Sequence, residues 1–376
     1  MIKTLEQEYK TYKNKSLFGR YIRLEDIEPI LTTLGPIFKV RVEGYSVLNR
    51  PIHSVRFGTG LVKVLIWSQM HGNESTSSKA LFDVFNYLKT NEDLLKRFSF
   101  LVVPMLNPDG SEAYTRVNAN QVDLNRDAQA LSQPESKVLH DIFRDFKPDF
   151  CLNLHGQRTI FSAGPTNKPA TMSFLAPAED INRTVTEVRK KAMRLICYIN
   201  KDLQHVIPDQ IGRYDDGFNA NCVGDAFTIL GIPTILFESG HYKDDYDREE
   251  VRKYTFLALC SSFEAIKNED FKHVNHEDYF KIPENEKLFC DIIIKNVLIK
   301  DELNDVEIQF IEKLVGKKVK FLAKTEKFSK SSKLYAHRYY DANNSRVLTN
   351  DRALLYEGYE TDFVIWKNDE KLILSK

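Results

Sequence analysis

The sequence predicts an α/β fold: a mixed, mostly parallel sheet with helices on both faces, followed by a small C-terminal β-rich module. Three observations carry this expectation. Near-continuous apolar runs recur along the first two thirds of the chain, helical patterns separate them, and each run ends in a polar cluster. Strands covered on both faces read as unbroken apolar runs, and parallel pairing needs helical crossovers between them.

The run at 61–67, "LVKVLIW", is short, rich in β-branched residues and bounded by glycines, so it reads as a buried strand. It leads into His71-Gly-Asn-Glu74, and a helical pattern covers 75–90. The run at 98–106 leads into Asn107-Pro-Asp-Gly110, and a helical pattern follows at 134–146. The run at 149–154 ends at His155-Gly156, and a helix is expected over 184–205. The last run, 233–237, ends at Glu238-Ser-Gly240. In open α/β sheets the ligand sits beyond the carboxyl ends of the strands. His71, Asn107, His155 and Glu238 all fall there.

Two of these clusters suggest a metal. A His and a carboxylate three residues apart, on the turn leaving a strand, can close on one ion. Zinc takes imidazole nitrogen and carboxylate oxygen at about 2.0–2.2 Å, and a catalytic zinc typically has three protein ligands plus water. His71 and Glu74 supply two, and His155 is expected to be the third. Alone, an H-x-x-E pair is most often two surface residues, and a lone strand-end His often caps a carbonyl. The shared strand-end position is what favours the metal. Glu238 ends an apolar strand, so burial should raise its pKa and suit it as a general base; the competing reading is a buried Glu paired with an arginine. The loop 107–127 carries Arg116 and Arg126, whose planar forks match a carboxylate or an oxyanion. Asp123 in the same loop is placed to accept the free ring N–H of a metal-bound His. His53, His140, His205, His273, His276 and His337 have no such setting, whereas His241 follows Glu238 closely.

"HGNE", "NPDG", "VDLNRD", "LNLHG" and "FESG", in this order, resemble the zinc carboxypeptidase family over roughly residues 35–265. The upstream segment 40–60 resembles that family's first hairpin, and "TRVNANQVDLNR" has the short spacing of its murein-peptide amidases and cytosolic carboxypeptidases. The resemblance implies one Zn2+ per chain, held by His71, Glu74 and His155. It implies Glu238 as general base and proton shuttle, and Arg116 as oxyanion stabiliser. Asn125 and Arg126 would bind the substrate's terminal carboxylate. No motif fixes the family's mobile tyrosine; Tyr214 is the first candidate and Tyr242 the second. Three positions depart from the pattern: Asp127 where Asn is usual, Asn153 where many relatives have Asp, and Gln121 where Gly is usual. They leave catalysis credible and substrate identity open. The implied activity is zinc-dependent hydrolysis of an amide bond near the free C-terminal carboxylate of a peptide. Alternatives are an N-acyl amino acid deacylase of the succinylglutamate desuccinylase or aspartoacylase type and, more remotely, an inactive peptide-binding scaffold.

The remaining features set boundaries. The 376 residues carry 53 Lys plus Arg against 53 Asp plus Glu, so nothing points to nucleic acid or an anionic membrane. No apolar run is long enough to span a bilayer, and the first 21 residues are polar, without the apolar stretch of a secretory signal. Five scattered cysteines (Cys151, Cys197, Cys222, Cys260, Cys290) read as reduced core residues of a cytoplasmic protein. A catalytic domain is expected over 1–270 and a β-rich module over 285–376, joined by the polar stretch 268–287. Within the module, 304–314 shows a helical pattern, and the glycine-rich stretch 206–231 suggests a substrate-covering loop. Oligomeric state leaves no mark on the sequence.

Overall fold

The computed structural model describes residues 2–376, which form two units: one runs to Gln157 and resumes over Ala170–Asn285, the other comprises Arg158–Pro169 and Glu286–Lys376. In the first unit, helices α1 (Ile2–Tyr12) and α2 (Leu24–Thr32) precede a hairpin of β1 (Lys39–Tyr45) and β2 (Pro51–Phe57). There follow β3 (Val62–Ser68), α3 (Thr76–Leu88), α4 (Glu92–Arg97), β4 (Phe98–Val103), α5 (Pro108–Ala113), α6 (Pro134–Phe146) and β5 (Phe150–Gly156). The unit continues with β6 (Met172–Leu175), α7 (Glu187–Leu203), β7 (Ile211–Arg213), α8 (Val223–Ile229), β8 (Thr234–Ser239) and α9 (Glu249–Lys267).

The eight strands form one sheet in the order β1-β2-β4-β3-β5-β8-β6-β7. The central strands β4, β3, β5 and β8 run parallel, β2 is antiparallel to β4, and β6 is antiparallel to β8. The sheet is thus mixed and mostly parallel. Its twofold side-chain alternation feeds two cores. Val64, Ile66, Leu152 and Phe237 pack with residues of α3, α7 and α9. Leu65, Trp67, Leu101 and Cys151 pack on the other face with Leu139 and Ile142 of α6 and Val223 and Phe227 of α8. Both faces are covered, and so the central runs are apolar without interruption.

The second unit is β-rich. Strands β9 (Phe289–Ile299), β10 (Glu302–Val315), β11 (Lys318–Ser329), β12 (Tyr335–Asp341) and β13 (Glu360–Thr361) form a sheet in the order β12-β9-β10-β11-β13. β14 (Phe363–Trp366) pairs with β15 (Glu370–Ile373). The helix expected at 304–314 is instead the middle of β10, antiparallel to both neighbours. Val306, Phe310 and Leu314 have helical spacing, but Val306, Ile308 and Phe310 also alternate. The two partner strands take the backbone hydrogen bonds that a helix would have kept to itself, and tertiary pairing overrides the local pattern. Among the described residues no helix is long and apolar enough to cross a membrane.

A buried ionic network ties the N-terminal segment to α3 and α9. Arg252 and Asp83, both fully buried, pair through two contacts of 2.6 and 2.7 Å. Tyr9 donates to the same carboxylate at 2.8 Å, and Arg252 also donates to the carbonyls of Leu17 and Asn14. Glu249 accepts from Arg252, from Lys13 at 2.6 Å and from buried Lys79. Burial pulls the Lys79 ammonium down to about 8 although Glu249 draws it the other way. Burial alone would raise the Glu249 carboxyl, yet Lys79, Lys13 and Arg252 hold it down at about 2. Its folded value lies below its unfolded one, so its contribution is present above about pH 4.5 and is lost as pH falls towards 2. Glu249→Gln should lower the unfolding free energy at pH 7 by about 3 kcal/mol, because it strands buried cations. Urea titrations check this, and the gap between the two proteins should close as both are taken towards about pH 2.

Candidate metal centre

The first two candidate ligands, His71 and Glu74, sit on the turn after β3, and a second motif braces that turn. Leu106 N–H donates to Ser68 O and Asn107 N–H to Gln69 O, which carries the β3/β4 pairing past the strand ends. Asn107 then caps α5: its Oδ1 accepts from Gly110 N at 2.8 Å, its Nδ2 donates to Met70 O at 3.1 Å, and Pro108 occupies the first turn. Gly72 lies against this helix so closely that a Cβ there would stand 1.9 Å from the Gly110 carbonyl carbon. Only glycine lets the turn rest on α5.

His71, Glu74 and His155 converge. His71 Nδ1 lies 2.9 Å from Glu74 Oε1, His155 Nδ1 3.1 Å from Glu74 Oε2, and the two Nδ1 atoms are 3.1 Å apart. Three lone-pair donors at such separations need a cation or a proton between them. A tetrahedral ion with bonds of about 2.0–2.1 Å would space its ligand atoms roughly 3.3 Å apart, so two imidazoles and a carboxylate fit zinc and leave its fourth position open. The main-chain N–H of Gly156 donates to Glu74 Oε2 at 2.9 Å and fixes the carboxylate.

An outer layer orients this set. Asp123 Oδ1 faces His71 Nε2 at 3.0 Å and accepts from Asn125 N at 2.9 Å. Arg116 grips the other Asp123 oxygen through Nε at 3.1 Å and Nη2 at 3.0 Å, and its Nη1 reaches Glu74 at 3.3 Å. Burial disfavours a charged His71, but Glu74 and Asp123 outweigh it and hold the imidazole up at about 9. Burial pulls His155 down. Against their own burial, Glu74 is held well below the carboxylate range by His71 and His155, and Asp123 by His71 and Arg116.

Glu238 is the opposite case. It stands in register with His155 on the neighbouring strand, so both project from the same face of the sheet. Burial, reinforced by the Glu74 charge, pushes its carboxyl well up, and its Oε2 is buried without a hydrogen-bond partner among the described residues. Arg248 donates to Ser239 O at 2.9 Å and Gln157 O at 3.0 Å, which pins the strand ends beside it. Tyr214 is bonded to Asn285; burial first, then the charges of Glu238 and Glu74, push its phenol up, which places it in the field of the site.

Asn125 and Arg126 form the short helical turn after Asp123, with their side chains directed at the start of α8. Asn125 Oδ1 accepts from Val223 N at 3.1 Å; Arg126 Nη1 donates to Asn125 O at 2.7 Å and meets Cys222 Sγ at 3.2 Å. Gln121 adopts φ +61°, a conformation that suits the glycine usual there. Asp127 accepts from Ser132 N and Gln133 N at 3.0 and 2.9 Å and so closes the loop into α6. His241 is buried against Tyr246, and Tyr242 packs at a tilt against Tyr254 of α9, so neither joins the donor cluster. Sequence reasoning missed Arg248, which no motif marks.

A family model described as zinc carboxypeptidase matches residues 30–219. Carboxypeptidase 2 of Trichophyton rubrum is 29% identical over 99 residues, 25% of this chain and 18% of that protein. Carboxypeptidase SOL1 of Arabidopsis thaliana is 26% identical over 164 residues, 39% of this chain and 33% of that protein. The matched stretches thus span a third or less of these curated relatives' lengths. Among solved structures, a metallo-carboxypeptidase from Burkholderia cenocepacia aligns with TM-score 0.53 and 18% identity, covering 66% of this chain and 70% of that one. One from Pseudomonas aeruginosa, in complex with (2-guanidinoethylmercapto)succinic acid, aligns with TM-score 0.53 and 17% identity over 66% and 69%. These likenesses fix the fold of the first unit.

Removing the central carboxylate tests the donor set. If His71, Glu74 and His155 hold zinc, Glu74→Ala should weaken its binding by more than the 10–100-fold typical of losing an outer partner, because it would remove a ligand itself. Elemental analysis after dialysis against a metal buffer that leaves the parent loaded should find the variant largely empty.

Proposed function

The chain belongs to the zinc carboxypeptidase family, and we propose that it is a zinc-dependent metallopeptidase of carboxypeptidase type. In this reading it hydrolyses an amide bond near the free C-terminal carboxylate of a peptide. One observation carries the reading: His71, Glu74 and His155 present converging donors beside Glu238, a desolvated carboxylate in register with His155.

The three donors would hold one zinc ion, which when bound supplies a Lewis acid that polarises a carbonyl and acidifies water. The chain's own groups do the rest. Glu238, with a proton affinity raised by burial, takes the proton from the attacking water. As the C–N bond breaks, Glu238 passes that proton to the leaving nitrogen. Arg116 lies beside Glu74 and donates to the substrate oxygen as it gains negative charge. Asn125 and Arg126 receive the terminal carboxylate, which selects the bond presented to Glu238. Tyr214, in the field of Glu238 and Glu74, closes over the substrate terminus. Asp123 keeps His71 in the tautomer that leaves Nδ1 free for the metal. The five cysteines are all free and four are buried, which suits a cytoplasmic setting.

Glu238→Gln keeps the shape of the side chain and loses its basicity. It should retain zinc and fold while kcat falls by at least about 10²–10⁴-fold; steady-state kinetics on zinc-verified protein checks this. Arg126→Ala removes a charge-assisted contact worth about 1.5–3 kcal/mol. It should therefore lower kcat/KM on free-acid peptides by about 10–100-fold and leave the poor turnover of C-terminally amidated peptides little changed. Equal losses on matched acid and amide peptides would assign Arg126 another role.

A further inference from the structure

The two imidazoles of the metal centre are supported differently. His71 Nε2 is held by Asp123 at 3.0 Å. His155 Nε2 is sealed from solvent and has no partner among the described residues. An imidazole that binds metal through Nδ1 carries its proton on Nε2 and ordinarily donates it to a fixed acceptor.

Asn153 is placed to be that acceptor. It lies two residues before His155 on β5, so both side chains leave the same face of the strand, one step apart. It is fully buried, and both its amide atoms also lack a partner among the described residues. Trp67 stands in register with Asn153 on one side and Glu238 with His155 on the other, and Trp67 Nε1 and Glu238 Oε2 are likewise buried and unpaired. Buried polar groups in folded proteins are overwhelmingly paired. Here the residues that carry five unpaired atoms leave one face of the sheet at neighbouring positions, and the atoms complement one another. His155 Nε2, Asn153 Nδ2 and Trp67 Nε1 donate; Asn153 Oδ1 and Glu238 Oε2 accept.

We propose that Asn153 is a positioning residue for the metal ligand His155. Its amide oxygen accepts from His155 Nε2–H through one buried water, and its amide nitrogen donates towards Glu238. The inference rests on the zinc reading above. It makes the centre asymmetric: a carboxylate stands behind one imidazole and a neutral amide behind the other.

Zinc affinity of the full chain, measured by competition with a chromophoric chelator, tests this without any substrate. Asn153→Leu keeps the branched outline in a bulkier side chain and removes the acceptor, so it should weaken zinc binding by about 10–100-fold. Its urea midpoint in excess chelator should match or exceed the parent's, since it deletes unpaired polar atoms. Asn153→Asp restores an acceptor and should bind zinc at least as tightly as the parent. If Asn153→Leu does not fold, Asn153→Ser against Asn153→Ala repeats the contrast, with Ser binding more tightly. Leu and Asp variants, or Ser and Ala variants, of equal affinity would overturn the role of Asn153 alone. A parent that takes up no zinc would overturn the metal reading and this inference together.

Discussion

The site depends on one buried carboxylate held between two imidazoles. Glu74 lies within 3.1 Å of a nitrogen of both His71 and His155, and away from water that arrangement needs a cation or donated protons between them. Much of the surrounding architecture serves to hold it. The parallel register of β3, β5 and β8 brings the three strand ends level. The Asn107-Pro-Asp-Gly110 segment exists in physical terms as a brace, since Asn107 caps α5 and ties down Met70 O beside His71. Gly72 is the concession that lets the brace approach.

The same geometry divides the acids into two kinds. Glu74 and Asp123 face imidazoles and a guanidinium and stay ionised despite burial. Glu238, on the adjacent strand, is desolvated by burial beside a neighbouring negative charge, and its proton is held tightly. Carboxylates driven to opposite proton affinities within one site can act as ligand and as proton carrier. Arg116 and Arg248 set the limits of this field, the first bonded to both low acids, the second fixing the strand end that presents the high one.

The fold of the first unit was legible because its signal is local. Unbroken apolar runs follow from two-sided burial, and polar clusters at their ends mark where a parallel sheet exposes its carboxyl edge. The donor residues were legible for the same reason, each following a run directly. What escaped depends on long-range partners. Residues 304–314 carry both helical and alternating apolar spacing, and only the strands on either side decide between them. Residues 158–169 belong to the second unit through contacts more than a hundred residues away, such as Gln309 with Thr159. Arg248 reaches from the start of α9 to the strand-end carbonyls of Ser239 and Gln157, which no spacing encodes.

X-ray absorption at the zinc edge of the metal-loaded chain examines the central claim at its source. Only nitrogen and oxygen neighbours are expected, at about 2.0–2.2 Å, with the outer-shell scattering of two imidazoles. A sulfur neighbour at about 2.3 Å, or the outer-shell pattern of a single imidazole, would contradict it.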